Sequence, residues 1–360
     1  MSTATLAPSP AKSEALDTIW FTRCPVPTAT GLAYKLGWLG KAYDKENISV
    51  KTLQDNPGEL SRHHYDHRLT SLVREGGNIL AIAARAQGEK NKLVGLTWID
   101  EWQSILVRPD SGITEARHLK GRRLALPTWS EHPIPAHARG SSIGRGMSLH
   151  GYKGALAHAG LTFDDVDLVE VDTGRGRRDV TPTGNQGNRS LFNLWPLQAV
   201  ADGKADAAYV KGASAVDAAR ELGLVVGINL DHLPERRFRV NNGTPRPITV
   251  HESFIEENFE YLVRFLEQTL RAADWAADHL PEVQKILTSE TRGSEEAVLE
   301  AYGKEFHKSL HPSLSEDRLA LFAQQKKFLW IHGFLERDFN LESWVDRRPL
   351  EEARRRIAKG

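Results

Sequence analysis

The chain carries a single cysteine in 360 residues, Cys24, set in the run Cys24-Pro25-Val26-Pro27. A thiol between the end of a strand and the start of a helix has its pKa lowered by the helix dipole and its free N–H groups, which favours thiolate. The two prolines fix the turn and remove two backbone donors. Free cysteine is also among the most buried residue types, so position alone leaves a structural role open beside a reactive one. Forty residues on, the string Arg62-His63-His64-Tyr65-Asp66-His67-Arg68 concentrates three imidazoles. Imidazole titrates near neutrality, so His64, or His63 beside it, suits proton transfer to or from a thiol. His63 and His67 lie one helical turn apart and permit a metal reading, but no HExxH pattern or obvious third ligand accompanies them. A solvated polar helix would explain the same string. Arg74 follows, leading into Glu75-Gly76-Gly77. Its guanidinium is a permanently charged fork that fits a two-oxygen anion. Glycines can bring backbone N–H groups to the same oxygens, although such a turn also occurs with no ligand at all.

These groups need elements to bring them together, and the pattern is α/β. Asp17–Trp20 reads as a strand, Thr28–Leu39 as a helix capped by Thr28 or Thr30 and stopped by Gly40, and Ile48–Leu53 as a second strand. The polar stretch 59–74 is expected to be partly helical, and Ile79–Arg85 to be a strand or a buried helix. Leu93–Trp98, Gln103–Val107, Leu124–Pro127, Val166–Val171 and Ala205–Val210 read as strands, with helices at Gly140–Ala159 and Leu194–Asp202. Strands alternating with helices imply a mostly parallel sheet. The segment 172–190, rich in glycine and arginine, is too long for a routine connection and is expected to act as a lid. From Val250 onward the periodicity is helical: Ser253–Leu280, Glu282–Leu287, Ser294–Gly303, Glu316–His332 and Leu341–Ala358. Ser141 opens the helix at 140, Lys211-Gly212 ends a strand, and Trp129 and Trp195 sit where an aromatic ring could stack on a ligand.

Composition bounds the function. Lys and Arg number 47 against 47 Asp and Glu, so the net charge is zero, which argues against a nucleic-acid partner. One cysteine excludes an intramolecular disulfide and any multi-cysteine metal site. Residues 1–16 are small and polar, without the basic start and apolar run of a secretory signal, and no stretch approaches a membrane span. The expectation is a cytoplasmic, monomeric protein with a flexible arm at 1–16 and no membrane partner.

Three phrases, "LKGRRLALP", "GLTFDDVDLVEV" and "VADGKADAAYV", resemble the type II periplasmic-binding-protein fold in its sulfonate- and nitrate-binding branch. The resemblance implies two α/β lobes, with the chain crossing between them twice and the ligand in the cleft at the C-terminal ends of strands. The expected division is 17–108 for the first part of lobe 1, 109–224 for lobe 2, and 225–360 for the return to lobe 1 plus a helical C-terminal part. Cys-Pro-Val-Pro before a helix, a histidine ten residues ahead of an arginine (His64, Arg74) and Gly76-Gly77 resemble the aromatic sulfinate desulfinases.

That resemblance implies a cofactor-free, metal-free hydrolase that cleaves a C–S bond of an organic sulfinate and releases sulfite. It assigns Cys24 as nucleophile or proton donor, His64 as acid/base and Arg74 as the sulfinate ligand. Gly76, Gly77, Tyr65, Ser141 and Trp195 are expected to bind substrate. Two other readings compete: a non-catalytic solute-binding protein for sulfonates or related organic anions, and a pyrimidine-precursor synthase of the same fold. The latter is disfavoured because it carries a cysteine-rich motif absent from this chain.

Overall fold

A computed structural model describes residues 16–22, 26–56, 58–129, 140, 142–172, 195–291 and 293–359. Two five-stranded sheets organise it. The first holds β1 (Thr18–Thr22), β2 (Ser49–Thr52), β3 (Leu72–Glu75), β4 (Asn91–Thr97) and β10 (Arg246–His251), in the order β2-β1-β3-β10-β4. The second holds β5 (Gln103–Val107), β6 (Arg123–Pro127), β7 (Asp167–Val171), β8 (Ala207–Lys211) and β9 (Val225–Asn229), in the order β7-β6-β8-β5-β9. Each sheet has a parallel core invaded by one antiparallel strand, β10 in the first and β5 in the second. β1 buries Ile19 and Phe21 on one face and Thr18 and Thr22 on the other, as expected of a parallel strand covered on both faces.

The chain crosses between the sheets at 98–102 and again at 230–245. The second sheet therefore starts with β5 and ends with β9, so it extends beyond the expected 109–224 at both ends. The alternating apolar residues of β5 mark a strand without saying which sheet takes it. The helix expected over 28–39 is two pieces, Ala29–Lys35 and Trp38–Lys41, broken where Gly37 takes φ 75°. Thr28 is its cap, accepting from Gly31 N at 3.0 Å. The ambiguous run at 79–85 is a helix, Asn78–Ala86, and the final helix is shorter than expected, Arg348–Ile357.

The segment after Ser315 ties the lobes together. Helix Glu316–Ile331 and the turn at Phe334 share one apolar core with Ile79, Ile82 and Leu96 of lobe 1 and with Leu126 and Leu149 of lobe 2. Phe328 stacks on His150 at 4.2 Å, and Phe334 lies 4.7 Å from the Trp129 ring. Directly between the lobes, a Cβ on Gly140 would come within 2.3 Å of Ala83 Cβ, and one on Gly146 within 2.7 Å of Ile79 Cδ1. The helix Asn78–Ala86 and the start of helix Ile143–His158 thus pack closely against each other. No described helix is long and apolar enough to cross a membrane.

Candidate functional site

The candidate site grows from the register of β1 and β3. Their parallel pairing sets Thr22 beside Arg74. Cys24, two residues past Thr22 in the chain, lies outside the described residues. The strand bearing Arg74 was not expected from the sequence, which reads 59–74 as partly helical. Short helical turns do occupy Glu59–Arg62 and His63–Asp66, and a left-handed His67 (φ 57°) ends them before β3 begins.

The two histidine candidates point to different partners. His63 Nδ1 pairs with Asp66 Oδ1 at 2.8 Å within its own turn. That contact, together with the Arg68 backbone N–H, holds the Asp66 carboxyl below its usual range against the opposing effect of burial. His64 instead places Nδ1 3.0 Å from the Thr22 hydroxyl at the end of β1. Gln54 Nε2 donates to the same hydroxyl oxygen at 3.1 Å. The hydroxyl oxygen can accept from Gln54 while it either donates to Nδ1 or accepts from a protonated Nδ1. Tyr65 is buried, its ring edge-on to His64 at 5.2 Å. Among the described residues no group of three His, Cys, Asp or Glu side chains is placed to hold a metal ion.

Arg74 is 1% exposed, which makes it one of the largest fully buried side chains. Its Nε donates to the His64 carbonyl at 2.9 Å, and Nη1 and Nη2 both donate to the Gly77 carbonyl at 3.2 Å. The guanidinium therefore ties the histidine turn to the glycine pair. The glycines have a tighter reason to be glycine than the approach of a ligand. A Cβ on Gly76 would meet the Arg74 guanidinium at 3.0 Å, and one on Gly77 would meet the Asn242 carboxamide at 2.4 Å. The expected cradle of N–H groups needs correction at one position: Gly76 N–H donates to the Pro247 carbonyl at 3.4 Å. Neighbouring strand β10 takes it, as strand pairing next to β3 requires.

The other candidates scatter. Ser141 and most of the expected lid, 173–190, lie outside the described residues. Trp195 begins helix Trp195–Ala201, and its side chain is likewise outside them. Trp129 follows β6 and is packed between Phe334 and the Arg145 guanidinium, which sits 4.8 Å from its ring. Lys211 is buried and paired with Glu101 at 3.0 Å.

Two residues escaped the sequence reading. Glu75, on β3 next to Arg74, is buried and accepts from Thr97 Oγ1 at 3.1 Å. Burial pushes its pKa up against the opposing effect of Thr30, Arg246 and Thr28. Only its place in the Arg-Glu-Gly-Gly run hinted at it. Asn242 arrives from the second crossover, and no local signal marks it.

No family model matches the chain. It is 27% identical over 360 residues, covering 91% of both chains, to 2'-hydroxybiphenyl-2-sulfinate desulfinase of Rhodococcus erythropolis. Its structure superposes on the desulfurization enzyme DSZB with TM-score 0.72 at 24% identity, covering 95% of this chain and 99% of that one. A DSZB cysteine-to-serine variant in complex with biphenyl-2-sulfinic acid gives 0.68 at 23%, covering 95% and 100%. The aliphatic sulphonate binding protein SsuA of Escherichia coli gives 0.65 at 15%, covering 92% and 93%. The chain is thus similar along most of its length to an aromatic sulfinate desulfinase, and its fold is the two-lobed one of the type II periplasmic binding proteins.

Proposed function

We propose that this protein is a cofactor-independent desulfinase that cleaves the C–S bond of an aromatic sulfinate and releases sulfite. The observation that carries the reading is the link from His64 through Arg74 to Gly77, built at the end of β1 two residues before the only cysteine. Similarity to a desulfinase over 91% of the chain supports it.

In this reading Arg74, oriented by two carbonyl groups, attracts the sulfinate. Thr22 contacts the His64 ring at Nδ1, and the ring exchanges protons with the reacting groups. Cys24 acts in one of two ways. As an acid it protonates the ring carbon bearing sulfur; the C–S bond breaks, sulfur dioxide departs, and water adds to it to give bisulfite. As a thiolate it attacks sulfur; the aryl group leaves and takes a proton, and water cleaves the Cys24–SO2⁻ adduct to thiol and bisulfite. Either route balances without an oxidant or reductant. A trapped adduct on Cys24, seen by mass spectrometry, selects the second.

The likeness to SsuA favours one other reading, a binding protein for sulfonates or related anions that does no chemistry. Sulfite release from biphenyl-2-sulfinate separates the two. Release by wild type and its loss in Cys24→Ser is the expected result. Binding by both forms with release by neither would sink the enzyme.

A further inference from the structure

Asn242 belongs to the second crossover between the lobes, far along the chain from Arg74, yet it packs against the same dipeptide. Its backbone carbonyl accepts from Asn78 N at 2.6 Å and its Oδ1 accepts from Ile79 N at 3.0 Å. Those are the first N–H groups of helix Asn78–Ala86, which otherwise has no side-chain cap at Gly77. The Ile79 contact fixes which end of the amide accepts, so the NH2 end is assigned by elimination. The carboxamide packs on Gly77: a Cβ there would sit 2.4 Å from Nδ2 and 2.6 Å from Oδ1. Gly77 is thus held by the Asn242 carboxamide, and its carbonyl by both terminal nitrogens of Arg74.

Asn242 is itself anchored to the second lobe. Its N–H donates to Asn241 Oδ1 at 2.7 Å, and Asn241 Nδ2 donates to the Tyr209 hydroxyl at 2.7 Å and to the Met147 carbonyl at 3.1 Å. Asn242 is only half-buried, unlike fully buried Asn241.

We propose that Asn242 is a positioning residue that sets the affinity of the Arg74–Gly77 corner for an anionic substrate group. It packs on Gly77, whose carbonyl receives the guanidinium, accepts from the two N–H groups that follow, and joins that corner to the second lobe. The choice of a sulfinate as the anion rests on the desulfinase reading.

The test uses two variants of the full chain. Asn242→Ala removes both the cap and the contact, so it lowers the melting temperature and raises KM together. Asn242→Asp keeps an oxygen acceptor for Ile79, and its charge suits a helix N-terminus, so the fold is retained. It replaces the amide nitrogen at Gly77 with a negative oxygen. The expected result for Asn242→Asp is a KM for biphenyl-2-sulfinate raised about ten-fold or more, with kcat within about three-fold and the melting temperature of wild type. A mere cap would be rescued by aspartate, so a wild-type KM in Asn242→Asp overturns the proposal. Should wild type release no sulfite, the desulfinase reading fails separately. The proposal then stands or falls on the calorimetric Kd for the same sulfinate: weakened about ten-fold in Asn242→Asp it stands, and unchanged it falls. A wild type that binds no sulfinate overturns both.

Discussion

Two buried cations, Arg74 and Lys211, sit near the lobe junction and are held in opposite ways. Arg74 is oriented by two neutral carbonyl groups, those of His64 and Gly77. Lys211 is held by the Glu101 carboxylate, whose other oxygen accepts from the Tyr302 hydroxyl at 3.0 Å. A carbonyl orients a guanidinium by its lone pairs, whereas a carboxylate also opposes a cation's charge. The first arrangement suits receiving an anion and the second suits holding a junction together. The two positively charged positions singled out in the sequence thus differ in the partners described for them, backbone carbonyls for Arg74 and a carboxylate for Lys211.

The comparison can be broken in several places. Lys211→Met leaves Glu101 buried without its ammonium, and loss of one partner of a buried pair costs about 3–5 kcal/mol. Chemical denaturation should read that loss, while KM for the sulfinate changes little; a large rise in KM with stability intact would put Lys211 in the site instead. Arg74→Lys keeps the charge but loses the fork that spans two carbonyls. A fall in kcat/KM of about 100-fold is expected in sulfite release, equivalent to about 2.7 kcal/mol. Thr22→Val removes the hydroxyl that orients His64. About a ten-fold loss in kcat with KM nearly constant is expected, and an equal loss in a His64→Ala background would show that Thr22 acts elsewhere.

The smallest effect concerns Asp231, whose carboxylate oxygen accepts from Gln103 N at 3.1 Å. Burial pushes its pKa from 3.8 up to about 7, with Lys211 opposing and Asp100 adding. The folded state then holds a proton that the unfolded state has released between about pH 4 and pH 7, so this group's contribution to stability falls as pH rises through that window. Asp231→Asn should remove that slope, so at pH 8 the variant should melt about 2–4 °C above wild type, with little difference at pH 4. Parallel melting curves of the two proteins across pH 4–8 would refute the assignment.

Legibility in the sequence followed the range of the forces involved. β1 and β5–β8 were readable because apolar residues run or alternate along them. β3 was not: Leu-Val-Arg-Glu buries two charged side chains, so its pattern reads as a polar turn although every residue is buried. β10 starts Arg-Pro, which reads as a break, yet it pairs with β3 and β4. The spacing from His64 to Arg74 drew attention to the right segment, but not to the bond between guanidinium and carbonyl, since backbone acceptors leave no mark in composition. Gly76 and Gly77 were read as making room for a ligand, and the room is taken by Arg74 and Asn242. Asn242 illustrates the limit, because its partners are brought to it only by the second crossing of the chain.

The helix Glu316–Ile331, which packs on both lobes, has a mechanical consequence. A jaw that works by swinging open must part along a surface that is cheap to wet. Here, parting would bring Phe328, Leu329 and Phe334, all nearly fully buried, into water, at about 1.5–3 kcal/mol for each. The Gln325–Asn78 hydrogen bond of 2.8 Å ties that helix to the start of the lobe 1 helix. The bolt is drawn across the seam, so any parting of the lobes must first wet that apolar contact.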